Sequence, residues 1–483
     1  MVGFHIAMKA LISMLIGLLV VGCGKKSPSV ANKRTNTIPQ LEKEAGKPNL
    51  RSHVSAGISS QNKSRWHEIL GTPQGTIPPD PGGKVIWVSN FDKALAEAKL
   101  SKRPILVTWR CLPCKQCAQF DKDILDGSPS LNPLLRRFMT VRMTDAALLD
   151  ERYFPYKTHQ DLDLSWWAYF LSSDGEYYGV FGGKDHVSDT TRISEAALIQ
   201  TMKRILAHHY DPRRKQWGID LPVGYASRNK SIPEDLRGYS LLKKIRPELN
   251  QPFQQHGACI HCHQVGDMLN MEAIDSGNFN IDQFTGQWPL PENVGILLER
   301  DDGLLVKNIT PESHATLAGI RTGDQLLMAN DMGLFSQADL RGVLHRLPHG
   351  EGSIRFAWLR NTQLMFGMIT VQPDWRKTEN YWRKTVYDGV YGPDMGFFPL
   401  KGPKAGKEQG LSIKPWMGNN PADRSVYKTG LRPQMEIVAI NGMDRDIEAR
   451  ELIAWFRLNH RPGEEVIYKV RGGKEFKYVL PVD

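Results

Sequence analysis

"VTWRCLPCKQCAQF", residues 107–120, sets cysteines at 111, 114 and 117 directly after an apolar run that ends in tryptophan. Upstream, in "KVIWVSNFDKALAEAKLSKRPILVTW" (84–109), Phe91, Leu95 and Ala98 recur at helical spacing, and Ile105, Leu106 and Val107 then run together as a buried strand would. Downstream, "CAQFDKDILD" has helical period, "FMTVRMT" and "WWAYFLSS" look like strands, and "DGE" joins the latter to "YYGVFGG". "SEAALIQTMKRILAHH" follows as an amphipathic helix. The order β-α-β-α-β-β-α with short turns predicts an α/β sandwich around a central sheet.

A strand that ends near tryptophan, CxPC at a helix start and a later strand pair joined by a polar-glycine turn together resemble the thioredoxin fold. "TWRCLPCK" and "YFLSSDGEYYGVFG" supply these features, and the resemblance covers about residues 84–210. Two departures stand out. Thr108 occupies a strand position where thioredoxins commonly carry a buried aspartate, and Trp166 or Trp167 stands where they place a proline facing the disulfide. At a helix N-terminus, unpaired backbone N–H groups and the positive end of the dipole stabilise a thiolate, so Cys111 is the expected nucleophile and Cys114 the resolving thiol. Pro113 suits a first helical turn, where no N–H is needed, and Lys115 adds a cation. Cys117, one turn further, is open to three roles: a second resolving thiol, a metal ligand or a small core residue. A structural disulfide is the alternative for the pair itself.

A second motif, "GACIHCHQVGD" (257–267), matches the c-type haem attachment pattern, with Cys259 and Cys262 for the thioethers and His263 for the iron. A Cys259–Cys262 disulfide, or zinc held by these thiols with His256, His261 or His263, are the alternatives. Met268 and Met271 are available as a second axial ligand, but neither is assigned.

Compartment decides what such thiols can do. Lys9, the apolar stretch Ala10–Val21 and "VVGCGKK" read as an export signal, and the apolar stretch is about half of the ~20 residues that a spanning helix needs. "VVGC" resembles the lipobox of bacterial lipoproteins, which implies lipidation at Cys23 in the cell envelope; Gly24 after it favours the outer membrane. Export permits disulfides and covalent haem. The composition is globular, with 24% charged and 41% hydrophobic residues, and the net charge of +10 is dispersed, which argues against a nucleic-acid partner.

At the C-terminal end, "GIRTGDQLLMANDM" (319–332) aligns without a gap on "GLRPQMEIVAINGM" (430–443), and each is followed by a helix-like run, a glycine turn and a strand. The duplication resembles two PDZ domains. That resemblance implies ligand loops at "NVGILLE" and "DMGFFPL", in which Gly295, Ile296, Leu297, Gly396, Phe397 and Phe398 would meet a peptide's terminal carboxylate and first residues. It also implies side-chain pockets lined by Leu340 and Leu344, and by Leu452 and Phe456. Degenerate copies that bind nothing are the alternative. No GxSxG or GNSGG nucleophile motif occurs, so a protease is not expected.

Taken together, these segments resemble the bacterial thioredoxin-like/PDZ (seleno)protein family. The expected fold is multidomain: a signal peptide (1–22), a disordered tether (23–83), an α/β thioredoxin-like domain (84–210), a short CxxCH segment (211–288) and two tandem, mainly β PDZ domains (289–373 and 374–483). The function expected is extracytoplasmic thiol–disulfide exchange with PDZ-recruited proteins or peptides as partners, the membrane engaged through lipid, haem c as candidate cofactor and no nucleotide cofactor. A non-enzymatic scaffold with a structural disulfide is the competing expectation.

Overall fold

The computed structural model describes residues 74–109, 115–126, 128–184, 194–245, 247–250, 260–280, 286–376, 383–387, 393–402 and 410–482. The export signal, Cys23, Cys111, Cys114 and Cys259 lie outside these residues, and of Cys117 only its place on a helix is described.

The N-terminal sheet is built around strand β2 (Ile105–Trp109), every residue of which is buried. It lies between β3 (Met139–Met143), which runs parallel to it, and β4 (Ser165–Leu171), which runs antiparallel. The short β1 (Trp87–Val88) and β5 (Tyr177–Lys184) complete the order β1-β3-β2-β4-β5. The expected order begins with a strand before the first helix, as found, and is one strand short after the motif helix, where β3, β4 and β5 follow in place of two strands.

Both faces of the sheet are covered, as a buried central strand requires. Helix α1 (Phe91–Ser101) starts where the Asn90 side chain accepts from Lys93 N, and it buries Phe91, Ala94, Leu95 and Ala98. It shares a core with Ile105, Val107 and Trp109. On the other face, Leu106 packs with Phe120 of α2 (Lys115–Phe120) and with Leu198, Met202 and Ile205 of α3 (Glu195–His209). After α2 the chain makes one wider turn, Asp121–Leu125, rather than a continued α-helix.

The CxxCH segment does not stand apart. Leu242 of α4 (Arg237–Ile245) and Val265 and Met268 of α5 (Cys262–Asp275) belong to the same core as α1. Between β3 and β4 the chain makes only short turns, so α4 and α5 supply the missing cover. Held contacts also begin earlier than expected: Gln74 N donates to Asp211 at 3.0 Å, and Arg136 pairs with Asp80. The last ten residues assigned to the tether are thus bound to the folded body.

Two β units follow. In the first, β6 (Ile296–Leu298) pairs with β7 (Val306–Ile309), and β8 (Gln325–Ala329), β9 (Met332–Gly333), β10 (Gly352–Arg360) and β11 (Gln363–Val371) form a sheet in the order β11-β10-β8-β9. Helix α6 (Gln337–His345) crosses this unit. A single turn, α7 (Lys384–Tyr387), leads into the second unit, whose sheet runs β12 (Phe398–Lys401), β13 (Ile413–Trp416), β14 (Ile437–Ile440), β15 (Glu465–Val470), β16 (Glu475–Val479) with α8 (Ala449–Asn459) beside it.

The sequence repeat is a structural repeat. Asn330 and Asn441 hold the same place in it, both at φ +47°. Each exchanges two bonds with the facing strand: Asn330 N donates to Arg355 O and Asn330 Oδ1 accepts from Arg355 N, as Asn441 does with Ile467. Asparagine tolerates the left-handed region and brings its own acceptor, so it can close such a turn.

Helix α6 joins the first β unit to the N-terminal sheet. Strand β5 is the edge of that sheet, and edge strands offer unpaired backbone groups. Val180 N donates to Asp339 Oδ1 at 2.8 Å, and Ser336 Oγ donates to Val180 O. Arg204 of α3 reaches Asp302 and the Phe335 carbonyl, and no residue of α6 is exposed.

Candidate functional site

Strand β2 delivers the chain to the cysteine motif at Trp109, which lies opposite Trp167 on β4. Thr108, standing where an acid would sit, is fully buried and donates to Val141 O at 3.3 Å. The motif helix leaves through α2, so both flanks of the motif are fixed by the sheet and its cover.

Trp166 occupies the start of β4, where a proline was expected to be missing. Its φ is +58°, its ring centroid lies 4.2 Å from that of Phe120, and its Nε1 donates to Asp121 Oδ1 at 3.0 Å. Gly182 faces it at φ +141°, and a Cβ there would lie 2.4 Å from the Trp166 carbonyl oxygen. Glycine therefore accommodates the tryptophan, whose indole covers the helix that follows the motif.

Cys262 begins α5 as a free, half-buried thiol. Gln160 Nε2 lies 3.8 Å from its Sγ, and Tyr169 Oη donates to Gln160 Oε1. Burial, then the neighbouring Cys262, pushes the Tyr169 phenol well above its ordinary range, so it stays a donor. His261 and His263 stack with centroids 5.4 Å apart. The inward face of α5 is filled by Val265 and Met268, and Met268 packs where a Cβ on Gly238 would come within 2.6 Å. His261 and His263 are half-buried. Met268 is therefore a packing residue. Among the described residues, no group of three or more His, Cys, Asp or Glu is arranged to hold a metal ion.

Of the residues assigned to peptide binding, Gly295 and Gly396 adopt φ +88° and +78°. A Cβ at Gly295 would lie 2.2 Å from Ser313, and one at Gly396 would lie 2.6 Å from Val426, so both loops need glycine. Ile296 and Phe397 are buried, Leu297 is exposed and Phe398 is half-buried. Leu340, Leu344, Leu452 and Phe456 are fully buried in the cores of their units, at the helix–sheet seam rather than in open pockets. Strands β6 and β12 are outermost in their sheets.

A cluster that spacing could not reveal lies in the loop before β4. Arg383 donates to both oxygens of Asp161, at 2.6 and 2.9 Å, and Arg341 donates to Asp161 at 2.9 Å. Burial alone would push the Asp161 carboxyl up, but Arg383 and Arg341 outweigh it and hold the group below its ordinary value. For Asp163, 3.4 Å from Arg383, burial wins and the carboxyl is raised. Asp339, also unmarked in the sequence, is fully buried and pushed up to about 7 by that burial, against the backbone N–H groups of Val180, Phe335 and Ser336.

The chain matches no curated protein. A family model described as thioredoxin-like matches residues 86–163, which run from β1 to the loop before β4. With the sheet order and the helices on both faces, residues 86–163 belong to a thioredoxin-like domain that β4, β5 and α3 complete.

Proposed function

We propose that this chain is a lipid-anchored extracytoplasmic thiol–disulfide exchange protein, with Cys111 as nucleophile and Cys114 as resolving thiol. The observation that carries the reading is the match to a thioredoxin-like domain whose central strand is followed in the sequence, after Arg110, by CLPC. Mixed-disulfide trapping by Cys114→Ser against Cys111→Ser tests it. Cys23 is the anchor in this reading, so trapped adducts should leave the membrane fraction when Cys23→Ser is added. Among the described residues no helix is long and apolar enough to cross a membrane.

The two β units are read as PDZ domains that recruit partners. Support comes from the matched Asn330 and Asn441 turns, the glycine loops at Gly295 and Gly396, and the outermost strands β6 and β12. A peptide adding to such a strand gains backbone hydrogen bonds, while the loop receives its carboxylate. Peptides with a free C-terminus should bind the full chain roughly tenfold or more tightly than their amides. Equal binding of acid and amide across a library would remove the PDZ reading.

Haem c at Cys259 and Cys262 with His263 as ligand is the cofactor proposed from the CxxCH pattern, and it would supply one-electron transfer. The chain's own part is to hold Cys262 between Gln160 and the start of α5. A covalently bound chromophore with a sharp reduced α band, lost in Cys262→Ser, is expected; a colourless exported protein would sink this reading. The scaffold alternative draws on Trp166, whose ring packs on Phe120 of the helix after the motif.

A further inference from the structure

The Asp161–Arg383 cluster joins three parts of the molecule. Asp161 and Asp163 belong to the loop that enters β4, Arg341 to α6 of the first β unit, and Arg383 and Thr385 to the segment of α7. The side chains of Arg383, Asp161 and Asp163 are 2%, 1% and 3% exposed, so water replaces none of these bonds. Thr385 N donates to Asp163 Oδ1 at 2.9 Å and its hydroxyl to Asp163 Oδ2. Val386, the next residue, is buried in the core of the second β unit, and α7 lies against α8.

The same few residues brace the Cys262 thiol from two directions. Gln160, adjacent to Asp161, places its amide at the sulfur. Gly266 lies one turn along α5 from Cys262 on the same face. A Cβ at Gly266 would come within 2.6 Å of Thr385 Cγ2 and 3.6 Å of Leu162 Cβ, so α5, α7 and the loop meet there at closest packing. Loop and helix cannot shift independently of α7.

We propose that, in the chain whose Cys262 is a free thiol rather than a thioether, the second β unit governs the exposure of that thiol through this joint, with Arg383 as the positioning residue. Displacing that unit pulls Val386 and, with it, Thr385 and Arg383. Asp161 then loses its bidentate partner, the Gln160 amide leaves the sulfur, and α5 loses the Thr385 contact at Gly266, one turn beyond Cys262. No chemical step at the thiol is needed for this coupling; it sets only how often the sulfur meets solvent.

The test is the rate at which iodoacetamide alkylates Cys262 in the folded full chain, with the other five cysteines replaced by serine. Arg383→Gln should raise the rate roughly tenfold or more, since a buried carboxylate loses its partner, and Arg383→Lys should recover part of the difference. Thr385→Val, which removes one bond without stripping a buried charge, should raise it by a smaller factor. Val386→Ala leaves every polar bond of the joint in place and loosens only its seat in the second unit, yet it should raise the rate too. Protection of the Val180 amide, which depends on the separate α6 contact, reports that the fold is intact. Rates within about twofold of the parent in Thr385→Val and Val386→Ala, with Val180 protected, overturn the proposal even if Arg383→Gln fails to fold.

Discussion

Cys114→Ser in the full chain is expected to accumulate mixed disulfides through Cys111, and Cys111→Ser to accumulate none. In the proposed exchange, the Cys111 thiolate would attack a partner disulfide, a bond would form between the two sulfurs and the partner's second sulfur would leave as a thiolate. Cys114 would then attack Cys111 and release the reduced partner, so removing Cys114 stops the sequence at the adduct. Helical backbone continues from Lys115 through the wide turn that ends at Leu125, which keeps a dipole behind the motif. The indole of Trp166 on Phe120 and the buried Thr108 make the surroundings unlike those of a general reductase. Insulin is accordingly expected to be a poor substrate, and adducts should be sought among envelope proteins by mass spectrometry. Equal trapping in both variants, or none in either, would leave the pair as a structural staple and favour the scaffold.

Asp339→Ala should destabilise the chain by about 3–5 kcal/mol, because it strips the acceptor from several buried N–H groups at once. The bonds lost are those from Val180 N at 2.8 Å and from Phe335 N and Ser336 N at 2.9 Å. The pH dependence has a definite sign. With its carboxyl raised to about 7 in the folded chain and near 3.8 when unfolded, the folded state holds the proton more tightly. The contribution is complete at acid pH and is lost as pH rises towards and through 7. Relative to Asp339→Asn, whose amide does not titrate, the parent should lose about 2–3 kcal/mol between pH 5 and 8 in urea unfolding. A difference that stays flat across this range would show that burial does not set the protonation of Asp339.

Much of the thioredoxin-like fold was legible because its signals are local. Phe91, Leu95 and Ala98 are buried on α1 as their spacing implied, and Ile105, Leu106 and Val107 form the buried central strand. The tandem repeat was legible as well, with the glycines of its loops, whereas the matched Asn330 and Asn441 emerged only in the structure. What escaped were choices made across long separations. Arg383 meets Asp161 from 222 residues away, and neither residue sits in a motif. Asp339 closes a capping box with Ser336 that the sequence reading did not pick out, and its other carboxylate oxygen accepts from a strand edge 159 residues distant. Leu340, Leu344, Leu452 and Phe456 have the right period for a groove, but a helix face that lines a groove and one that fills a core share that period. The motif cysteines Cys111, Cys114 and Cys259 lie outside the described residues.

The α6 seal on β5 bears on how the chain can be handled and how it fails. Cutting the polypeptide after α3, at what looks like a natural boundary, would leave the backbone of Val180 facing solvent in one fragment and the buried Asp339 carboxyl without its strand partner in the other. A bare strand edge is a template for pairing with a second copy of itself. Proteolytic nicking there, or a truncated expression product, should therefore yield material that clumps rather than two well-behaved pieces. Quality control of this protein in its own compartment is then a matter of whole chains, since its fragments are predisposed to aggregate.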